Sequence, residues 1–152
     1  MAPSPPARSP AHHASAVAIG DWGVIITGPT GSGKSDLALR LIDRGAILIG
    51  DDYIYLNAAH GGPVITVPDN IAGKLEIRGI GIIEMPHKSR VVAKLLVRLT
   101  GEGERFPGSL PITDFAGCSL PTLSIDAFHY SSPIKIEYAL KSLVDRDLPP
   151  VA

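Results

Sequence analysis

The chain is short of cysteine, of net charge and of long apolar runs, and each shortage narrows what it can be. Cys118 is its single cysteine, so no internal disulfide can form, which suits a reducing compartment. No motif surrounds Cys118, so it reads as a small packed or surface residue and not as a nucleophile. With 14 Lys and Arg against 15 Asp and Glu, the formal charge is -1, and there is no basic excess to hold nucleic acid by its backbone. No stretch approaches the roughly 18 apolar residues of a membrane span. No internal repeat is visible. The start, Met1 to Pro10, is too rich in proline for the apolar core of a secretory leader. These features point to a cytoplasmic protein with neither a membrane nor a nucleic-acid partner.

What is present is a chain of 152 residues, 45% of them hydrophobic, enough for one domain with a substantial core. A disordered leader is expected over 1–11, the domain over 12–146 and a flexible tail over 147–152. Within the domain, Gly28-Pro29-Thr30-Gly31-Ser32-Gly33-Lys34-Ser35 is a complete phosphate-binding loop of the pattern G-x-x-x-x-G-K-S. Its glycines let successive backbone N–H groups turn inward around a polyphosphate. Lys34 can reach the β- and γ-phosphate oxygens, and the Ser35 hydroxyl can ligate Mg²⁺. Gly23 to Thr27 before the loop reads as a buried strand, and Asp36 to Arg44 after it as a helix closed by Gly45. The helix N-terminus adds its positive end to the anion site.

Further along, Ala14 to Ile19 and Gly23 to Thr27 flank a turn, which predicts an antiparallel hairpin leading into the loop. Ala46 to Ile49, Tyr53 to Leu56 and Val64 to Val67 read as strands. The stretch from Pro68 to Pro86 reads as loop-rich. Arg90 to Leu99 is the longest strand-like segment, Thr100 to Ser109 a loop, and Pro121 to Ile125 a last strand. Ile134 to Val144 carries Ile136, Ala139, Leu140 and Leu143 on one face, as an amphipathic helix does. That face could cover the sheet or meet another subunit. Strands outnumber helices, so the expected fold is α/β with a mixed sheet, an N-terminal hairpin and a C-terminal helix.

Asp51-Asp52 ends the strand that directly follows the loop helix. In α/β sheets ligands bind outside the carboxyl ends of strands, so this pair should face the phosphates. One carboxylate can hold Mg²⁺, directly or through water, and the other can accept a proton from an attacking hydroxyl. Neighbouring strand residues point to opposite sides, so both can serve only if the strand bends, and Gly50 is the expected place. Glu76-Ile77-Arg78-Gly79 puts a carboxylate and a guanidinium on one side of an extended segment. The carboxylate could add a metal ligand and the guanidinium hold a phosphate, but by spacing alone a surface pair on an edge strand is the commoner explanation.

Taken together, Gly28 to Ser35, Ile49-Gly50-Asp51-Asp52 and Glu76-Ile77-Arg78-Gly79-Ile80-Gly81-Ile82-Ile83 resemble HPr kinase/phosphorylase in order and spacing. The resemblance spans roughly His13 to Leu99, and its third motif is the discriminating one. It implies a P-loop-containing kinase domain that uses ATP and Mg²⁺ to phosphorylate a serine of the phosphocarrier HPr. The reverse activity it implies is phosphorolysis, in which inorganic phosphate attacks phosphoserine and yields pyrophosphate. Pyrophosphate could also replace ATP as donor.

Carried over residue by residue, the resemblance makes Lys34 and Ser35 serve the phosphates and the metal. Asp51 becomes the general base, Asp52 supports the metal and the transition state, and Glu76 helps hold Mg²⁺. His13, 15 positions before Gly28, matches a family histidine close to the catalytic aspartate. The resemblance also implies a homo-oligomer, specifically a hexamer. Longer members carry a further N-terminal domain, so this sequence looks like the catalytic domain alone. Where typical members have Gly-Arg-Asn before the last helix, the run here is His129-Tyr130-Ser131-Ser132-Pro133, and Arg105 is the candidate to stand in for the missing arginine. Two other readings of the same loop are a nucleotide sensor that transfers no phosphate and a small-metabolite kinase. An intact aspartate pair argues against the first, and the lack of an arginine-rich lid against the second.

Overall fold

In the computed structural model, residues 11–100 and 109–147 are described. Alternate side chains of the central strands point to opposite faces, and here both faces are apolar, so the sheet needs cover on both sides. The chain runs β1 (His12–His13), β2 (Ser15–Ile19), β3 (Trp22–Thr27), α1 (Lys34–Asp43), β4 (Ile47–Gly50), β5 (Tyr53–Asn57) and β6 (Val64–Thr66). It continues through β7 (Lys74–Ile77), β8 (Gly81–Glu84), β9 (Val91–Leu99), β10 (Ile112–Phe115), β11 (Cys118–Ile125) and α2 (Ser132–Asp147).

The main sheet has the order β1-β5-β6-β9-β3-β2-β4, with β11 alongside β9 and β10 alongside β11. The pairs β3–β9 and β9–β11 are parallel, and the other ladders of this sheet are antiparallel, so the sheet is mixed as expected. β2 and β3 form the expected hairpin about Gly20 and Asp21. Because β2 runs antiparallel to both β3 and β4, those two share a direction. The carboxyl ends of β3, β4 and β11 therefore lie at one edge, the edge where ligands collect in such sheets.

Val24 and Ile26 of β3 and Leu95 and Val97 of β9 face α1 and α2, packing with Leu37 and Leu41 of α1 and Ile136 and Leu140 of α2. Ile25 and Leu96, one residue out of phase, join a second core with Ile54, Leu56 and Ile65. The apolar face foreseen on the last helix thus covers the sheet: Ile136 and Leu140 are buried, with Ala139 and Leu143 packed against them. An exposed ion pair of Arg44 with Glu137, at 2.8 Å, joins the two helices and adds little to stability. Among the described residues no helix is long and apolar enough to cross a membrane.

The structure departs from the expected elements in three places. The stretch 68–86 is not all loop: β7 and β8 pair there as a separate two-stranded ribbon. Gly79, at φ 87°, lies in the turn between them, and Gly81, at φ 127°, opens β8; together they concealed the strands. β10 was unforeseen and β11 begins at Cys118, well before Pro121. The turn joining them places Ala116 at φ 56° and Gly117 at φ 80°, a left-handed pair in which the alanine hides the hairpin signature. Finally, α1 starts at Lys34, so the phosphate-loop lysine and serine belong to its first turn. The expected leader and tail lie, apart from Ala11 and Asp147, outside the described residues, as do Arg105 and most of its loop.

Leu41 is fully buried between α1 and the sheet. Leu41→Ala should lower unfolding stability by about 2–5 kcal/mol, measured by urea denaturation.

Candidate active site

The phosphate loop leaves β3 and enters α1 through two left-handed glycines, Gly31 at φ 81° and Gly33 at φ 96°. A side chain is strained at such angles. At Gly33 a Cβ would also stand 3.1 Å from Ala127 Cβ and 3.2 Å from the Phe128 ring. Lys34 is only 8% exposed, and its ammonium donates to the carbonyls of Gly28 at 2.7 Å and Pro29 at 3.0 Å. Three N–H donors on that ammonium leave one for an anion. The first-turn N–H groups of α1 have no carbonyl partner within the helix and carry its positive end. The Ser32 hydroxyl is buried without a hydrogen-bond partner. A buried orphan donor, a free ammonium N–H and a positive helix end make this loop fit a polyphosphate.

Asp51 is 7% exposed, and both its carboxylate oxygens accept hydrogen bonds. Its Oδ1 accepts from Ser35 Oγ at 2.7 Å and Ser15 Oγ at 2.8 Å, and its Oδ2 accepts from the Glu76 N–H at 3.2 Å. The bend that brings it there falls at Gly50, as expected, without a left-handed φ at that residue. It comes from a bulge over Ile49 and Gly50 and from Asp52. Ala16 pairs with Gly50 and Val17 with Leu48, so Ile49 is the extra residue, and such bulges re-aim the side chains that follow. Asp52 then takes φ 75°, a strained angle that aspartate tolerates better than most residues. Gly50 is needed for room, since a Cβ there would stand 3.1 Å from both Ile54 and Val67.

Past this bend, Asp52 points into the cleft. His13 Nε2 lies 2.6 Å from its Oδ1, a contact set by β1 running antiparallel beside β5 with His13 opposite Tyr53. The Ala14 N–H donates to the Asp52 carbonyl at 3.0 Å and locks that register. The cleft has a volume of about 530 Å³. Thr30, Gly31, Gly33, Lys34 and Ser35 line it together with His13, Asp52 and Glu76, and Arg78 and Phe128 complete the rim. Gly28, Pro29, Ser32 and Asp51 are not part of this lining. Of the site residues expected from the sequence, His13, Thr30, Gly31, Gly33, Lys34, Ser35, Asp52 and Glu76 line the cleft, and Asp51 holds Ser35 from outside it.

Sequence reasoning missed two residues, Ser15 and Phe128. Ser15 could have been found: it is the one hydroxyl within the apolar run Ala14 to Ile19. Phe128 had no sequence signal, because it reaches the loop only when β11 is laid beside β9. Cys118 does not line the cleft.

Ser35 and Asp51 fit Mg²⁺. This small cation takes one or two protein oxygens and completes its shell with water and substrate phosphates, and a hydroxyl held against a carboxylate offers that donor set. Among the described residues no cluster of three or more His, Cys, Asp or Glu could enclose a metal unaided, and Mg²⁺ with a polyphosphate requires none. Glu76, exposed on the ribbon, faces the same space from the other wall.

Residues 6–90 match the family model described as the HPr Serine kinase C-terminal domain. The HPr kinase/phosphorylase of Clostridium tetani is 44% identical over 64 residues, which is 42% of this chain and 21% of that protein. That of Geobacillus sp. is 45% identical over 64 residues, 41% of this chain and 21% of that protein. The alignments thus span about a fifth of the length of these relatives. The solved structure of the Hpr(Ser) kinase/phosphatase from Coxiella burnetii superposes with a TM-score of 0.77 at 26% identity, covering 90% of this chain and 92% of that one.

Two outcomes follow from the site. Ser15→Ala leaves a buried carboxylate oxygen short of a donor, and should cost about 1–3 kcal/mol in urea unfolding. Partial burial, with the Asp114 carboxylate adding to it, pushes the Cys118 thiol above its ordinary value. Its thiolate is therefore scarce near neutrality, and alkylation by iodoacetamide at pH 7 should run slower than for free cysteine.

Proposed function

Because the chain belongs to the HPr serine kinase C-terminal domain family, we propose that it transfers the γ-phosphoryl group of ATP to a serine of an HPr-like phosphocarrier protein. One observation carries the reading: the Asp52–His13 pair, 2.6 Å apart, shares a cleft with Lys34 and Ser35 of the phosphate loop. A phosphate loop alone would serve any nucleotide protein. An aspartate held by a histidine in front of it supplies the proton acceptor that transfer to a hydroxyl needs.

On this reading the two aspartates exchange the roles the resemblance assigned. Asp51 has its oxygens occupied by two hydroxyls and an amide, behind the cleft wall. It holds Ser35 in place and, with Ser35, provides the side for Mg²⁺. Asp52 is the base. The serine proton passes to its carboxylate while the serine Oγ bonds to the γ-phosphorus and the bond to the ADP oxygen breaks. His13, with Nε2 protonated, donates to Asp52 Oδ1 and leaves Oδ2 for the substrate hydroxyl. Lys34 and the α1 amides hold the charge on the β- and γ-phosphates. Mg²⁺, when bound, neutralises charge on the phosphate oxygens, and Glu76 closes that side of the cleft. In reverse, protonated Asp52 returns its proton to the serine as inorganic phosphate attacks and pyrophosphate leaves.

The proposal extends to a cytoplasmic homo-oligomer, a hexamer by resemblance; sedimentation velocity should give a mass well above the monomer. Transfer of labelled γ-phosphate from ATP to purified HPr tests the reaction itself. Wild type should label one serine, and Asp52→Asn should lower kcat by about 10²-fold or more with ATP affinity unchanged. Asp51→Asn should also lose activity, and part of it should return at high Mg²⁺. Tight ATP binding without any transfer would overturn the kinase and favour a nucleotide sensor.

A further inference from the structure

The loop from β11 to α2 brings one aromatic side chain to the mouth of the phosphate loop. Phe128 is 69% exposed, so a face of its ring is open to a ligand. It lines the cleft beside Gly33 and Lys34, and its ring would stand 3.2 Å from a Cβ at Gly33. The position follows from topology. β3, β9 and β11 lie side by side and parallel, so the loop leaving β11 and the phosphate loop leaving β3 emerge at one edge.

The ring is carried on a loop that is tied down. The Phe128 N–H donates to Asp126 Oδ1 at 2.8 Å. Arg40, on the outer side of α1, donates to the carbonyls of Ala127 and His129, the residues on either side of Phe128. The same guanidinium pairs with Asp36, one turn earlier on α1, at 3.0 Å. The Ser132 hydroxyl and N–H hold the Asp126 and His129 carbonyls in turn. Arg40 thus fixes the height of the ring above the first turn of the helix that receives the phosphates. A held aromatic face next to a polyphosphate site is what a nucleobase requires, because every base presents a flat π-face that stacks whatever its edge carries.

We infer that Phe128 is the platform on which the base of the nucleotide donor stacks, with the β11–α2 loop serving as a base-binding loop fastened to α1 by Arg40. The inference rests on the reading of the loop as a nucleotide site and adds where the base goes and which bases are accepted. Stacking without edge readout discriminates weakly, so ATP and GTP should both bind. Tripolyphosphate has no base and should be indifferent to the ring.

Calorimetric titration of ATP, GTP and tripolyphosphate, each with Mg²⁺, into wild type, Phe128→Ala and Phe128→Tyr tests this. Phe128→Ala should weaken both nucleotides about tenfold and leave tripolyphosphate unchanged, while Phe128→Tyr should stay within about twofold of wild type. Equal weakening of all three ligands would overturn the platform by showing that the ring only supports the phosphate loop. Unchanged ATP affinity in Phe128→Ala would overturn it too, placing the base elsewhere. Failure of wild type to bind any triphosphate would instead sink the nucleotide reading, and the platform with it.

Discussion

A buried carboxylate holds the site together. Asp51 accepts from Ser15 on β2, from Ser35 on α1 and from the Glu76 N–H on β7, while its own position is set by the end of β4. Removing a carboxylate from water costs several kcal/mol unless donors replace the lost hydration, so the four elements cannot drift apart without exposing that cost. Charge-assisted bonds at 2.7 and 2.8 Å are the strong kind. One side chain thereby aligns the phosphate loop, the central sheet and the outlying ribbon.

The consequences spread outward from that point. With Asp51 turned inward, the next residue has to face the cleft, and the left-handed turn at Asp52 accomplishes this within a single residue. The antiparallel run of β1 beside β5 then delivers His13 to Asp52. The sheet beneath is stiff because both its faces are packed, by the helices on one side and by β5 and β6 residues on the other. A cleft whose side chains are fixed by buried hydrogen bonds and a two-faced core is preorganised, and preorganisation is most of what the proposed phosphoryl transfer asks of a protein.

How much of this was legible in the chain depends on the range of the interactions involved. The phosphate loop and its flanking strand and helix are local, and their glycines, lysine and serine state their purpose within eight residues. The β2–β3 hairpin and the apolar face of α2 obey short periodicities and were equally plain. β7, β8 and β10 were not. Glycines within β7–β8 looked like breaks in structure when they were its turn, and the β10–β11 turn used alanine where glycine or asparagine would have signalled it. The bend before Asp51-Asp52 was foreseen at Gly50, where the bulge lies, but the residue it inserts was not, since that depends on the partner strand's register.

The sequence by itself carried the phosphate-loop pattern and the acidic pair that lies near it, because phosphate binding of the proposed kind is done by backbone amides that only a particular glycine spacing can arrange. It also determined the family, through motifs kept in order along the chain. Which aspartate faces the cleft and which is buried was decided only by tertiary structure. Adjacent side chains differ in direction by the local φ and ψ, and those were set by strands 35 or more positions away, as with Ser15 and Asp51. The placing of Phe128 was likewise tertiary, for nothing near it in the chain says that its strand will end beside the phosphate loop.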